Sequence, residues 1–205
     1  AWIFQLTGTN VLSLRLTAWL LGGVLSLLIY LLGRRFLRGM DAFVPPLIFT
    51  MICYPYTYRI SHHSWGSLFL YISVICLSGL AFRSPHENPL RLKAYVFWAG
   101  ASAAVTLLAM QPKGAWAVAM GVVFLGLLEG FPAGNTLSAG LRKGLVWNLW
   151  FILGVAAVIG PVLLFFLLEG ALGSWARDNV VFLFANYRPY LDVPQASPWG
   201  IISHL

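Results

Sequence analysis

The sequence predicts an all-α fold, a polytopic transmembrane helical bundle of about six spans with interfacial helices on its outer side. Three observations predict it. Charged residues are 9% of the 205-residue chain and the hydrophobic set is 60%, whereas charges make up roughly a quarter of an ordinary soluble domain. Between Ala1 and Leu168 the apolar residues form long stretches, with nearly every charge in the gaps, and mean hydropathy is +0.81. Basic residues, finally, favour alternate gaps. A charge at the centre of a helix in lipid costs about 2.5–3.5 kcal/mol. Chemistry is therefore confined to the rims.

The first span covers residues 16–32 and runs directly into Arg34, Arg35 and Arg38. The second, 42–56, is short and carries Pro45 and Pro46 near its start, where missing amide donors imply a kink or a broken first turn. The third covers 66–82, the fourth 94–110 and the fifth 115–128. The sixth, 145–168, is the longest and holds Gly160 and Pro161 inside it. A crossing takes roughly 17–25 residues, so the second and fifth are marginal and fit tilted or re-entrant segments. Residues 1–168 thus read as a membrane bundle, and 169–205 as an extracytoplasmic interfacial helix and loop, truncated. Because the chain starts at Ala1 rather than methionine and no span follows 169–205, it reads as an interior piece of a longer protein.

Alternate gaps place Arg34, Arg35, Arg38, Arg83, Arg91, Lys93, Arg142 and Lys143 on one side, and Arg15, Arg59, Lys113, Arg177 and Arg188 on the other. The positive-inside rule makes the first side cytoplasmic. Such residues ordinarily touch lipid headgroups, which accounts for a net charge of +7 without nucleic acid. Tyr54, Tyr56, Tyr58 and Trp65 suit an outer interface, Trp147 and Trp150 an inner one. Cys53 and Cys76 fall inside spans and read as small apolar residues rather than a disulfide framework. Zinc-ligand spacing, a Walker loop, a dinucleotide fingerprint and a secretory signal are all absent from the sequence.

Phe4-Gln5-Leu6-Thr7-Gly8, Leu14-Arg15-Leu16 and Tyr30-Leu31-Leu32-Gly33-Arg34-Arg35-Phe36, followed later by Leu107-Leu108-Ala109-Met110-Gln111-Pro112-Lys113-Gly114, carry a family resemblance. They resemble stretches of the GT-C superfamily of polytopic membrane glycosyltransferases, such as protein mannosyltransferases and lipid A aminoarabinose transferases. The resemblance implies a multi-helix bundle with its active face extracytoplasmic, as in a bacterial inner membrane. It implies transfer of a sugar from a polyprenyl-phosphate-linked donor to a protein, lipid or glycan hydroxyl. A carboxylate general base would activate that hydroxyl; in the family it lies in the first outer loop, which would precede Ala1 here. No acidic residue of this chain is an obvious substitute. Asp41, Glu87 and Glu129 fall on the side read as cytoplasmic. Glu169, Asp178 and Asp192 are outer but carry no motif.

The candidate donor-phosphate or substrate contacts are Lys113, Gln111, Arg59, His62, His63, Tyr187 and Arg188. Lys113 lies in a four-residue turn that resembles the family turn bearing a donor-phosphate lysine; an ammonium is a compact charge for a phosphate oxygen. Its ordinary reading is a headgroup contact in a tight hairpin. Arg59, His62 and His63 cap the third span where family members often have an acidic residue. A divalent metal is thus unsupported, and adjacent histidines, about 100° apart on a helix, do not chelate together easily. The bland reading is polar residues beside an aromatic belt. Residues 175–190 read as an interfacial helix and loop, in which the resemblance gives Tyr187 and Arg188 contacts to phosphate or sugar. No cofactor is implied, and the partners are the bilayer, the lipid-linked donor and an unidentified acceptor. The competing classes are a transporter or flippase and a non-catalytic membrane assembly subunit. Carriers keep ionisable groups at midplane depth, and the span interiors after Arg15 offer only Asn148 and hydroxyls.

Overall fold

The computed structural model describes residues 11–53, 62–84, 86–130 and 137–178, with backbone alone at 11–14, 52–53, 62–63, 129–130 and 137–139. The chain is an all-α polytopic bundle. Helix α1 is Val11–Phe36, α2 Val44–Ile48, α3 His62–Ala81, α4 Pro89–Ala109, α5 Gln111–Gly130, α6 Leu137–Leu168 and α7 Leu172–Ala176. Five of these, α1, α3, α4, α5 and α6, are long and apolar enough to cross a membrane. The fifth stretch of the sequence is accordingly a full 20-residue helix. The sixth starts at Leu137, eight residues before the span read from the sequence.

The second stretch is different. It is a 3-10 turn at Gly39–Phe43, then α2, then a π turn at Phe49–Cys53. Pro45 and Pro46 lack the N–H groups a continuous helix would use, so the coil tightens before them and widens after them. Thr50 Oγ1 donates to the Pro46 carbonyl at 2.7 Å. In lipid an irregular backbone has to satisfy its polar groups internally.

α4 is the hub. Its buried face includes Val96, Ala99, Gly100, Ala101, Ser102, Ala103, Ala104 and Thr106. α3 runs antiparallel to it: Ser73 Oγ donates to the Ala99 carbonyl at 2.9 Å, and Gly79 and Gly66 face Tyr95 and Met110. α6 approaches so closely that a methyl at Gly100 would overlap the Phe151 carbonyl, and one at Gly154 the Phe97 carbonyl. Phe151 is fully buried, with its ring against Gly121 of α5. Around it lie Leu80, Val96, Ala99, Ala103 and Leu125. Small residues let membrane helices approach to this distance.

α1 packs on α3, and the two run parallel. Arg35, in the last turn of α1, donates from one Nη to the Ile75 carbonyl at 2.6 Å and to Ser78 Oγ. Phe36 meets Phe82 edge-on at 5.1 Å. Since both C-terminal ends lie together, the chain between Phe36 and His62 has to return to the opposite end. That return runs antiparallel to α1. The backbone at Gly33 lies against Ala42, Tyr30 stacks on Phe43 at 4.6 Å, and the Ser26 and Thr50 hydroxyls are 3.1 Å apart. From Gly33 to Ser26 this descends about 10 Å at the helical rise. The described part of the second traverse, residues 39–53, is therefore a broken path instead of a helix. Arg34, Arg35, Arg38, Arg83, Arg91 and Lys93 share one end of the bundle. Lys93 sits over the Trp150 ring at 5.5 Å and Gly144 lies against Gly126, which brings Arg142 and Lys143 to that end. Lys113 is at the other.

The backbone divides into two compact units, Ala1–Ile159 and Gly160–Leu205. Within the second, α6 ends in a Schellman motif. Ala171 N–H bonds the Phe166 carbonyl at 2.9 Å, Gly170 N–H bonds the Leu167 carbonyl at 3.1 Å, and Gly170 takes the left-handed φ of 66°. Phe166 then stacks on Trp175 at 5.8 Å. α7 precedes and just overlaps the stretch 175–190 read as an interfacial helix and loop; residues of that stretch beyond 178 lie outside the described ones.

Two measurements check this architecture. Gly100→Ala and Gly154→Ala should each destabilise the detergent-solubilised protein by about 1–3 kcal/mol through overpacking. Gly126→Ala, whose added methyl meets nothing within 4 Å, should cost nothing. In sealed vesicles, with Cys53 and Cys76 replaced by serine, Arg38→Cys and Arg83→Cys should react with an impermeant thiol reagent from the same side, and Lys113→Cys from the other. Opposite labelling of positions 38 and 83 would mean that residues 39–61 do not cross.

Candidate functional site

The end of the bundle carrying Lys113 is built by three helix termini. α4 stops at Ala109, and Met110 alone separates it from α5. The sequence Gln111-Pro112-Lys113-Gly114, read as a hairpin turn, is in fact the first turn of α5. Proline is tolerated there because first-turn amides have no intrahelical acceptor. The two helices fold tightly on each other because Gly114 lies against the Leu107 backbone, where a side chain would overlap.

α3 enters the same corner. A methyl at Gly66 would lie 3.4 Å from the Met110 side chain. Thr106 Oγ1, fully buried, lies within hydrogen-bond distance of the carbonyls of Ser102 (3.0 Å) and Gly66 (3.3 Å). Thr106 thereby tethers the second turn of α3 to the end of α4. With α3 fixed, Ser67 faces α5, and the half-buried Lys113 donates from Nζ to Ser67 Oγ at 3.4 Å. The ammonium keeps two further donors.

Two of the three helix termini at this corner are N-termini, with the C-terminus of α4 between them carrying the opposite partial charge. The first turns of α3 and α5 contain no acidic residue. Each helix N-terminus carries a partial charge of roughly +0.5 and projects amides suited to an anion. Among the described residues of the unit Ala1–Ile159, the carboxyl-bearing positions Asp41, Glu87 and Glu129 all belong to the opposite end. Glu87 pairs there with Arg91 at 3.7 Å. Among the described residues of the unit Ala1–Ile159 the corner therefore offers a cation and two helix N-termini, and no carboxylate.

Of the sequence candidates, the structure brings Lys113 and Gln111 into one helical turn, both half-buried. It places His62 and His63 in the first turn of α3, with His63 one turn before Ser67. Arg59, Tyr187 and Arg188 lie outside the described residues, as does any contact they make. Among the described residues no three His, Cys, Asp or Glu side chains converge as a metal site. The contribution that sequence reading missed is Ser67, together with the Thr106 tether behind it. Its only trace in the sequence is the small pair Gly66-Ser67 one turn inside a span, opposite Gly114 near the start of another. No protein-family model, no curated protein and no solved structure matches this chain.

Proposed function

We propose that this chain is part of a multi-pass membrane glycosyltransferase, with the Lys113 corner receiving the phosphate of a polyprenyl-phosphate-linked sugar donor. One observation carries the reading. The Lys113 ammonium rests on Ser67 between the N-terminal turns of α3 and α5, at the end where the described residues of the unit Ala1–Ile159 place no carboxylate. A lipid phosphate at the membrane rim supplies the complementary anion, and its polyprenyl chain the apolar body that belongs in the bilayer. On this reading the positive-inside rule puts the corner on the extracytoplasmic face, and the family resemblance makes the membrane a bacterial inner one.

In such a transferase the corner's task is to hold the leaving phosphate, whose negative charge grows as the bond to the sugar breaks; a fixed cation stabilises that charge. Lys113 and the helix-terminal amides would do this. Ser67 positions the lysine. Activation of the acceptor hydroxyl needs a carboxylate, which the described residues of the unit Ala1–Ile159 do not supply at this end. The sugar leaves phosphate oxygen for acceptor oxygen, and the acceptor's proton passes to that base.

One feature favours the competing transporter or flippase reading: the broken second traverse with its paired Ser26 and Thr50 hydroxyls, since discontinuous helices line substrate paths in carriers. A single comparison separates the two. Full-length protein in vesicles is supplied with a radiolabelled polyprenyl-phosphate sugar, and both transfer to endogenous acceptors and movement of donor between leaflets are followed. Transfer should be found, with Lys113→Ala weakening donor affinity about tenfold to a hundredfold, the worth of a charged hydrogen bond, and Ser67→Ala less so. Leaflet exchange without transfer would make the protein a flippase, and unchanged donor affinity in Lys113→Ala would remove Lys113 from the site.

A further inference from the structure

Adjacent arginines at the end of α1 have been given opposite tasks. Ala18, Leu21 and Leu25 form the buried stripe of α1. Continued in steps of three and four, that stripe ends at Arg35, whose guanidinium is spent on Ile75 and Ser78 of α3. A second stripe runs Leu20, Val24, Leu27, Leu31 in the same rhythm, exposed by 71%, 45%, 54% and 42%. It ends at Arg34, and Arg38 follows just beyond the helix. Both arginines are exposed, and no ion pair to either is found among the described residues, where the one salt bridge is Arg91 with Glu87.

Arg34 is also held in place. Its guanidinium lies over the Tyr30 ring at 5.9 Å, and Tyr30 is backed by Phe43 from the 3-10 turn at 4.6 Å. The broken traverse thus braces the arginine from behind, and Val44, Leu47 and Ile48 continue the apolar surface beside it. Asp41 is the one carboxylate on this segment, exposed on the turn after Arg38. Elsewhere at this end Arg91 is engaged with Glu87 and Tyr95, and Lys93 with Trp150.

We infer that Arg34 and Arg38 bind the headgroup phosphate of an anionic phospholipid whose acyl chain lies along Leu31, Leu27, Val24 and Leu20. The dimensions fit the chemistry. Four turns of apolar helix below a guanidinium match an acyl chain below a phosphate, and arginine pairs with phosphate oxygens through two parallel N–H donors. The positive-inside rule places this end at the cytoplasmic leaflet, where anionic lipids concentrate. The inference is independent of the Lys113 reading and concerns the opposite rim.

Native mass spectrometry of the purified protein, in competition between phosphatidylglycerol and phosphatidylcholine, tests it. Phosphatidylglycerol should be preferred roughly 30-fold, the size expected of two basic residues at an anionic surface. In Arg34→Gln/Arg38→Gln the two lipids should bind nearly equally. Arg142→Gln/Lys143→Gln, which removes the same charge from the same end, should keep the preference. Should the double variant not fold, Arg38→Gln alone should lower the preference about fivefold. Equal binding of both lipids by the unsubstituted protein, an undiminished preference in Arg34→Gln/Arg38→Gln, or an equal loss in the Arg142/Lys143 variant would overturn it. So would displacement of the bound lipid by millimolar inorganic phosphate, or a second copy of the chain occupying the stripe in the mass spectrum.

Discussion

Close approach at α4 underlies the rest of this bundle. In lipid there is little hydrophobic gain from joining two apolar helices, because the tails are as apolar as leucine; contact and hydrogen bonding have to do the work. α4 provides it with Gly100 and its alanine neighbours, against which α6 lays Phe151 and Gly154. Phe151 reaches on to Gly121 of α5, so one buried ring is shared among three helices. Ser73, bonded to the Ala99 carbonyl, draws in α3. Once α3, α5 and α6 are fixed on α4, the positions of both rims follow.

At the Lys113 rim this produces an arrangement in which nothing is individually unusual. A lysine, a serine and two helix N-termini are common. Their convergence depends on Gly114 letting α5 fold against the end of α4, and on Thr106 bridging α3 and α4 from below. A bulkier residue at Gly114 would push α5 from α4 and separate the ammonium from its serine without touching either. The site is thus a product of packing, and it is the packing that makes the charge directional.

At the opposite rim the same logic separates neighbours. Arg34 and Arg35 are chemically identical, one residue and about 100° apart on α1. Arg35 faces α3 and becomes structural, joining the parallel pair α1 and α3 by its bonds to Ile75 and Ser78. Arg34 faces away and is braced by an aromatic pair. The parallel pairing obliges the intervening chain to cross, and Pro45 and Pro46 make that crossing irregular. The irregularity in turn supplies Phe43 behind Tyr30.

Hydropathy alone determined that this is an all-α membrane bundle, where its long apolar helices run and that its charges are held at the rims, because burying an unpaired charge or an unsatisfied backbone group in lipid costs more than any local preference returns. It also separated Lys113 from the large basic cluster. Running averages of hydropathy do not report which helix ends meet, since lipid and a neighbouring apolar helix present a residue with nearly the same environment. Tertiary structure therefore decided that α1 and α3 are parallel, that residues 39–53 start the return as a broken path, that 111–114 is helix instead of turn, and that Ser67 is the partner of Lys113. The parallel pairing, the return and the Ser67–Lys113 contact rest on residues 24 to 46 positions apart, a distance over which local composition carries no signal; the helical state of 111–114 turns on the closer packing of Gly114 against the Leu107 backbone.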